Sequence, residues 1–426
     1  MDTMKYVNIH LEDKRVSRKF FLLIWIMYTV VYMTKNCFSS AMAMIVAEGI
    51  LTKSQTGFIT AAFYFVYAPL QIVGGIAVDK YSPEKLITIG LAGGAVANAV
   101  IYFNHNYYVM LAAWVFNAII QLGVWPGIFK IFTSQLCRSD RPIMVFFMSL
   151  TSTAGLFLGF LVAAVLPGWE YNFILSALAL GLFAITFYIA SKKVSRYMKP
   201  DYTEPELTGM FGDETYKGST FKLFLVSGFI VMIPVAIIRE IVAMSVKTLT
   251  PTMLMENYDT VSASFGNILN LLVVASGLIG VFIVKQFIFP KLIHDENLAY
   301  LPCVLITIPF LVIIRFIGSV SVAMIVLSMC VVSLGLSVGM LLNSHYNMRF
   351  VRFGKNGTAA GISNAAASFG IVLQNYAVLK IADSFGWGAV TDLWLILTII
   401  LPFLLLVVYF QWKRFAKRQN IKKAAR

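Results

Sequence analysis

Runs of about twenty or more apolar residues recur along the whole chain, each closed by a polar connection. Twelve such spans are predicted, roughly at 20–46, 56–79, 86–104, 107–136, 142–167, 171–193, 221–249, 262–289, 298–317, 320–343, 357–382 and 388–412. A helix rises ~1.5 Å per residue, so about 20 residues cross the ~30 Å hydrocarbon core of a bilayer. The strands of a membrane barrel would show ~10-residue segments of alternating polarity instead. The pattern predicts an all-α integral membrane protein with twelve transmembrane helices. One connection is long: residues 194–220, VSRYMKPDYTEPELTGMFGDETYKGST, are polar and contain Pro and Gly. They read as a linker on the membrane surface, between a six-helix bundle over 1–193 and a second over 221–426.

Charge changes the picture next. Hydrophobic residues make up 59% of the chain and charged ones 13%, about half the share in soluble domains. The net charge of +14 raises the question of a nucleic-acid partner, and the placement of the charges answers it. With the N-terminus in the cytoplasm, 27 of the 34 Lys and Arg residues fall on the inner side and only Lys53 falls outside. Glu48, Glu170, Glu256, Asp259 and Asp383 share that outer side. This asymmetry is what insertion with positive residues inside produces, so both termini are expected in the cytoplasm of a multi-pass inner-membrane protein, and no nucleic acid is needed. The segment Phe20 to Met33 runs on into more helix rather than a small-residue cleavage site, so the first span is expected to stay as an anchor. Cys37, Cys137, Cys303 and Cys330 show no paired spacing, and the four histidines none that suits a metal. A nucleotide loop, paired catalytic carboxylates and a nucleophile triad are all missing from the pattern. The expectation is a monomeric non-enzyme with no cofactor and no metal, whose partners are membrane lipid and a small molecule.

Six basic residues remain inside the spans: Lys35, Lys130, Arg239, Lys247, Arg315 and Lys380. Lys247, Arg315 and Lys380 are near helix ends and can snorkel to the interface, and Lys130 can do so too. Lys35 and Arg239 are deeper. Lys35 lies 16 residues beyond Lys19, and Arg239 lies 17 beyond Lys222, which is ~24–26 Å along each helix. A charge there costs about 2.5 kcal/mol or more, so it faces a wet cavity or a partner. Two readings stand for each cation, a helix-packing ion pair or a site for an anionic solute. For Arg239 the candidate pair is Glu240, although neighbours on a helix point ~100° apart. Tyr67, Gln71, Gln121 and Ser152 are polar positions that can line such a site.

Two motifs carry a family resemblance. Residues 74–85, GGIAVDKYSPEK, resemble the GxxxD(R/K) loop between the second and third helices of the major facilitator superfamily. The resemblance implies two six-helix bundles about a central cavity that opens alternately to either side. It gives Gly75, Asp79 and Lys80 a part in gating, with the glycines allowing close helix packing. Within that superfamily the chain is similar to the organophosphate:phosphate antiporters. Tyr32, Phe38, Ala41, Met42 and Gly49 match their first helix, and Gln121, Gly123, Trp125 and Pro126 match their QGxGWP stretch. Thr250-Pro251-Thr252 with Leu254, Gly357-Thr358-Ala359-Ala360-Gly361 and Phe385-Gly386-Trp387 match later stretches.

The resemblance places Lys35 and Arg239 at the family's two substrate arginines, facing each other across the cavity, with Glu240 tuning or proton-coupling the site. A register set on the family's Lys-Asn pair puts Thr34 at the first of those places instead. Departures are visible. Gln71 stands where the glycerol-phosphate type has a lysine, and Ser152 near its histidine. Arg239 is four residues further from Pro251 than in the family. The second GxxxD loop is missing, since Gly280 leads into Val284 and Lys285. Lysine also lacks the planar fork that grips phosphate. The expected function is secondary active transport of a small organic anion, phosphorylated or carboxylated. A non-transporting receptor or sensor with the same fold is the alternative.

The topology has a direct check. Single cysteines at Lys53, Glu170 or Glu256 should react with a membrane-impermeant thiol reagent added outside intact cells, and cysteines at Lys193, Lys285 or Arg349 should not. Labelling of the second group would overturn the twelve-span arrangement.

Overall fold

The computed structural model describes residues 8–201, 219–283, 286–287, 295–350, 353 and 355–418. The chain forms two compact units, Met1–Pro205 and Glu206–Arg426. Among the described residues, nine stretches are helical, long and apolar enough to cross a membrane. The chain is a multi-pass membrane protein.

In the first unit, β1 (Asn8–Leu11) leads into α1 (Lys14–Lys35), which Asp13 caps by accepting from the backbone N–H of Arg15 and Val16. α1 stops at Asn36, where the backbone leaves the helix (φ −100, ψ 10) and Nδ2 donates to the Tyr32 carbonyl at 2.7 Å. The path resumes as α2 (Cys37–Ala47). Then follow α3 (Lys53–Lys80), α4 (Pro83–Phe103), α5 (Tyr107–Ile120) and, after a 3-10 turn at Gln121–Gly123, α6 (Val124–Lys130). The unit closes with α7 (Arg141–Val165), α8 (Glu170–Ser195) and β2 (Met198–Asp201).

Glycines set the closest approaches. A Cβ on Gly74 of α3 would collide with the carbonyl oxygen of Leu122 in the 3-10 turn. One on Gly94 of α4 would stand 2.9 Å from the Gln121 amide nitrogen. On α7, Gly155 lies against α1, where an added Cβ would be 2.6 Å from the Thr29 carbonyl. The paired glycines of the 74–85 loop thus divide: Gly74 packs, while among the described residues no atom stands within 4 Å of a Cβ on Gly75. The packing role expected of Gly75 is not seen.

The first unit also departs from an all-helical chain. β1 and β2 pair antiparallel, Asn8 opposite Asp201 and Leu11 opposite Met198. The start of the expected 194–220 linker is therefore a strand tied to the N-terminus; residues 202–218 lie outside the described residues. The tie has an apolar anchor, because Leu11 is fully buried among Ile131, Leu136 and Phe20. Beside it, Arg18 Nε donates to Asp140 at 2.6 Å, and the guanidinium holds that carboxyl below the usual carboxylate range. A depressed carboxylate keeps its partner above its own lowered pKa, so this contact persists into mild acid.

The second unit begins with α9 (Thr220–Ser227), which Gly228 ends in the left-handed region at φ +86. α10 (Phe229–Asn257), α11 (Ala263–Ile283), α12 (Glu296–Leu305), α13 (Thr307–Arg315) and α14 (Val322–Met348) follow. The last two are α15 (Asn356–Leu373) and α16 (Leu379–Arg418), joined by a π-helical turn at Gln374–Val378. Inside α16, Gly386 breaks the helix at φ 78, ψ 176, between the two last spans expected from the sequence.

Among the described residues, one kind of contact recurs inside each unit. In the first, Trp169 Nε1 donates to Glu48 at 3.1 Å; in the second, Trp387 Nε1 donates to Glu256 at 2.7 Å. Each tryptophan follows a glycine, and each glutamate stands at the end of the helical path that carries one of the deep cations.

The contrast between the two glycines of the loop is testable. Gly74→Ala should cost about 1–3 kcal/mol, the scale of overpacking against a fixed neighbour, and lower the yield of folded protein. Gly75→Ala should leave yield and thermal midpoint near those of the parent, and equal losses for both would contradict the packing described.

Candidate functional site

In the first unit the site is built on the break at Asn36. Ending α1 there leaves Lys35 in its last turn, where the helix dipole favours a cation. The side chain is buried, 3% exposed, and Nζ donates to Tyr67 Oη at 2.8 Å. The ammonium also stands 4.2 Å from the centre of the Tyr67 ring and 5.5 Å from that of Tyr32. Tyr28 packs edge-on to Tyr32 and stacks on Trp125 at 5.2 Å, so the aromatic wall is held from behind. Among the described residues no carboxylate pairs with Lys35. A hydrogen bond to a charged group is worth roughly 1.5–3 kcal/mol and a desolvated cation–π contact about 2. Burying an ion costs several kcal/mol, so the tyrosines leave part of that cost for an anion to offset.

The other expected lining residues cluster unevenly. Gln71 follows Tyr67 by one turn on α3, is half-buried, and among the described residues leaves both its amide nitrogen and oxygen without a partner. Gln121 is buried in the 3-10 turn, donates to Asn117 Oδ1 at 2.6 Å and, among the described residues, leaves its own oxygen unpartnered. Ser152 is half-buried on α7, on the face it shares with Gly159, which approaches the Met33 carbonyl of α1. The side chain of Asp79 lies outside the described residues. Lys80 is exposed at the end of α3, whose Val78 carbonyl accepts from Lys130 Nζ at 2.6 Å.

In the second unit Arg239 is 5% exposed and its Nη2 meets Glu240 Oε1 at 2.5 Å. This corrects the expectation that adjacent residues pair awkwardly. The long arginine side chain bends round the helix to its neighbour, because a buried guanidinium without a carboxylate would cost more than the bend. Small residues on two facing helices pack against the pair, and the Glu240 side chain stays 13% exposed. A Cβ on Gly339 of α14 would strike Arg239 Cδ and the Tyr300 ring, and one on Gly370 of α15 would lie 2.8 Å from Glu240 Cβ. One small pocket against Arg239, lined also by Tyr300, Gly339 and Leu405, has a volume of about 10 Å³.

Three residues beside the two cations were not assigned to the site from the sequence. Tyr32, at the spacing that puts it on the Lys35 side of α1, and Lys247, two turns beyond Glu240, were both visible as helical spacings. Lys247 is half-buried and lies in the field of Glu240 and Arg239. Tyr300 comes from a distant helix and gives no local signal. Arg315, expected to snorkel, pairs with Asp392 at 2.6 Å on an exposed surface.

A lysine-bearing first helix broken at its cation, a glycine-packed second helix and a paired arginine in the second unit suit a membrane carrier. Comparison with known proteins decides the family: residues 24–375 match the Major Facilitator Superfamily. The chain belongs to that superfamily. Its relatives bear out the likeness to the organophosphate:phosphate antiporters. The membrane sensor protein UhpC of Escherichia coli is 29% identical over 29% of this chain and 28% of its own length. A probable hexose phosphate transport protein of Chlamydia pneumoniae is 28% identical over 31% of this chain and 30% of its own. The probable sulfoacetate transporter SauU of Cupriavidus necator is 30% identical over 42% and 43%. The chain thus matches less than half the length of each of these relatives. The fold extends further. A bacterial homologue of the lysosomal transporter Spinster superposes over 97% of this chain with a TM-score of 0.71 at 13% identity and is matched over its whole length. The nucleoside transporter NupG superposes over 92% of this chain and 99% of its own at 0.66, with 11% identity.

The buried pair predicts a characteristic stability pattern. Arg239→Gln alone should lower stability by about 3–5 kcal/mol by stranding Glu240, and Arg239→Gln with Glu240→Gln should recover most of it. Thermal unfolding in detergent measures both; a double variant no better than the single would show that the two side chains do not depend on each other.

Proposed function

We propose that this protein is a secondary active transporter that moves a small organic anion across the cytoplasmic membrane by alternating access. Lys35, with Tyr67 and Gln71, is the anion-binding group of the first unit, and Arg239 that of the second; Gln121 and Ser152 line the first. The observation that carries the reading is the buried ammonium of Lys35, which meets two tyrosines and, among the described residues, no carboxylate. Membership of a superfamily of carriers supports transport over the alternative of a non-transporting sensor. A lysine and an arginine in place of two arginines favour carboxylates and sulfonates alongside phosphate esters, since an ammonium is a point charge without the fork. The finer parts of the reading are twelve spans, both termini cytoplasmic, and a monomer that works without cofactor. Gly75, Asp79 and Lys80 serve gating.

Liposomes test it. Vesicles holding the protein and preloaded with unlabelled sulfoacetate, glycerol 3-phosphate or glucose 6-phosphate should accumulate the labelled compound by exchange. Lys35→Gln should weaken binding of that anion by about 10- to 150-fold, the loss of one charged hydrogen bond of roughly 1.5–3 kcal/mol, and Lys35→Arg should weaken it less. Binding without exchange would select the sensor. In the same assay Asp79→Asn should slow exchange and leave affinity unchanged; an unaltered rate would remove Asp79 from the gate.

A further inference from the structure

We propose that Lys247 is a further anion-binding group of the second unit, and that the solute is a dianion. The inference deepens the transport reading above and rests on it for the binding of an anion. It starts from the charges along α10. Glu256 stands in the last turn and is tied to Trp387. Further in, Arg239 is joined to Glu240, so that pair sums to zero, and Lys247 leaves one positive charge over.

Nothing beside Lys247 removes that charge. The residue is half-buried, and among the described residues its ammonium meets no hydrogen-bond acceptor and no carboxylate within ion-pair distance. The fields that reach it come from Glu240 and Arg239 and oppose one another. The helices packed against its stem add no charge there. Cε would stand 3.3 Å from a Cβ on Gly277 of α11, and Ser337 and Ser333 of α14 would stand 2.6 and 3.1 Å from the same Cβ. Both serine hydroxyls donate to backbone carbonyls, Ser333 to Val273 at 2.7 Å and Ser337 to Ser333 at 2.6 Å. This seat also opposes snorkelling, since Lys247 precedes the end of α10 by ten residues, or ~15 Å of rise. A cation held at such a place is expensive until a counter-charge arrives. Lys35 stands in the same condition in the first unit, bonded to a neutral hydroxyl. Each unit therefore leaves one positive charge to offset. A monoanion would compensate one of them and a dianion both. The class this selects is a sulfocarboxylate, a dicarboxylate or a doubly ionised phosphate ester.

Calorimetry on the full-length protein in detergent tests it, with sulfoacetate as probe at about pH 7.5, where its sulfonate and its carboxyl are both ionised. Lys247→Met removes the charge and keeps an unbranched stem. Without ligand its thermal midpoint should equal or exceed the parent's, because a buried charge without a partner is gone. Its affinity for sulfoacetate should fall about tenfold or more, the loss of one charged hydrogen bond. Methanesulfonate and acetate carry one charge each. The parent should bind sulfoacetate at least about tenfold more tightly than either, and Lys247→Met should lose most of that preference. Unchanged sulfoacetate affinity in Lys247→Met overturns the proposal, and so does a parent without preference for the dianion. A lowered midpoint, or a variant that does not fold, overturns it too, since either makes Lys247 a structural residue. Failure of the transport reading looks different: Lys35→Gln would then bind sulfoacetate as the parent does. Should sulfoacetate not bind, glycerol 3-phosphate and glucose 6-phosphate take its place, and binding of none of the three removes both claims.

Discussion

A full charge inside a membrane helix has to be satisfied by the protein itself, and much of the local structure follows from that demand at two residues. At Lys35 the chain breaks its first helix one residue later, puts the ammonium at the negative end of the helix dipole and closes two tyrosines over it. At Arg239 the helix runs on unbroken and the neighbouring glutamate supplies the counter-charge. The two solutions differ in what they leave available. Lys35 meets a neutral hydroxyl and two aromatic rings, whereas Arg239 already holds a carboxylate at 2.5 Å. The first unit leaves its cation without a carboxylate among the described residues, and the second gives its cation one.

The glycines serve the same end from the outside. Gly74 and Gly94 bring α3 and α4 onto the 3-10 turn at Gln121–Gly123, and Gly155 brings α7 onto the turn of α1 before Lys35. Backbone contact at these points fixes the polar side chains of Gln121 and Lys35 without using side-chain volume. The polar groups left without partners at Gln71 and Gln121 then stand in a frame that cannot easily collapse onto them. Unpaired amides in such a frame are expensive unless a solute meets them.

How much of this was legible in the sequence differs by kind of interaction. Spans could be read from run length, because a membrane helix needs a fixed number of apolar residues, and the deep cations stood out against that background. The break at Gly386 fell between two predicted spans for the same reason. What could not be read was anything set by a side chain's reach. The Arg239–Glu240 pair was discounted on helical geometry, which fixes Cβ directions but not where a flexible arginine ends. Tyr300 comes to Arg239 from 61 positions later in the chain, and no local pattern announces such a contact. The strand pairing of 8–11 with 198–201 was missed because four residues on each side carry no alternation long enough to notice.

The repeated tryptophan–glutamate contact also serves as a ruler. Each unit fastens the end of its cation-bearing path to a tryptophan, giving the same fixed mark in both. Measured back from that mark, Lys35 stands 13 residues before Glu48, and Arg239 stands 17 before Glu256. The difference of four residues is about one helical turn, or ~6 Å of rise. Counted from the basic flanks the two cations look level; counted from the ties they are not. Each unit therefore sets its charge at its own distance from its tie, and the duplicated frame carries two chemically different cations, a lysine among tyrosines in one and an arginine beside a carboxylate in the other.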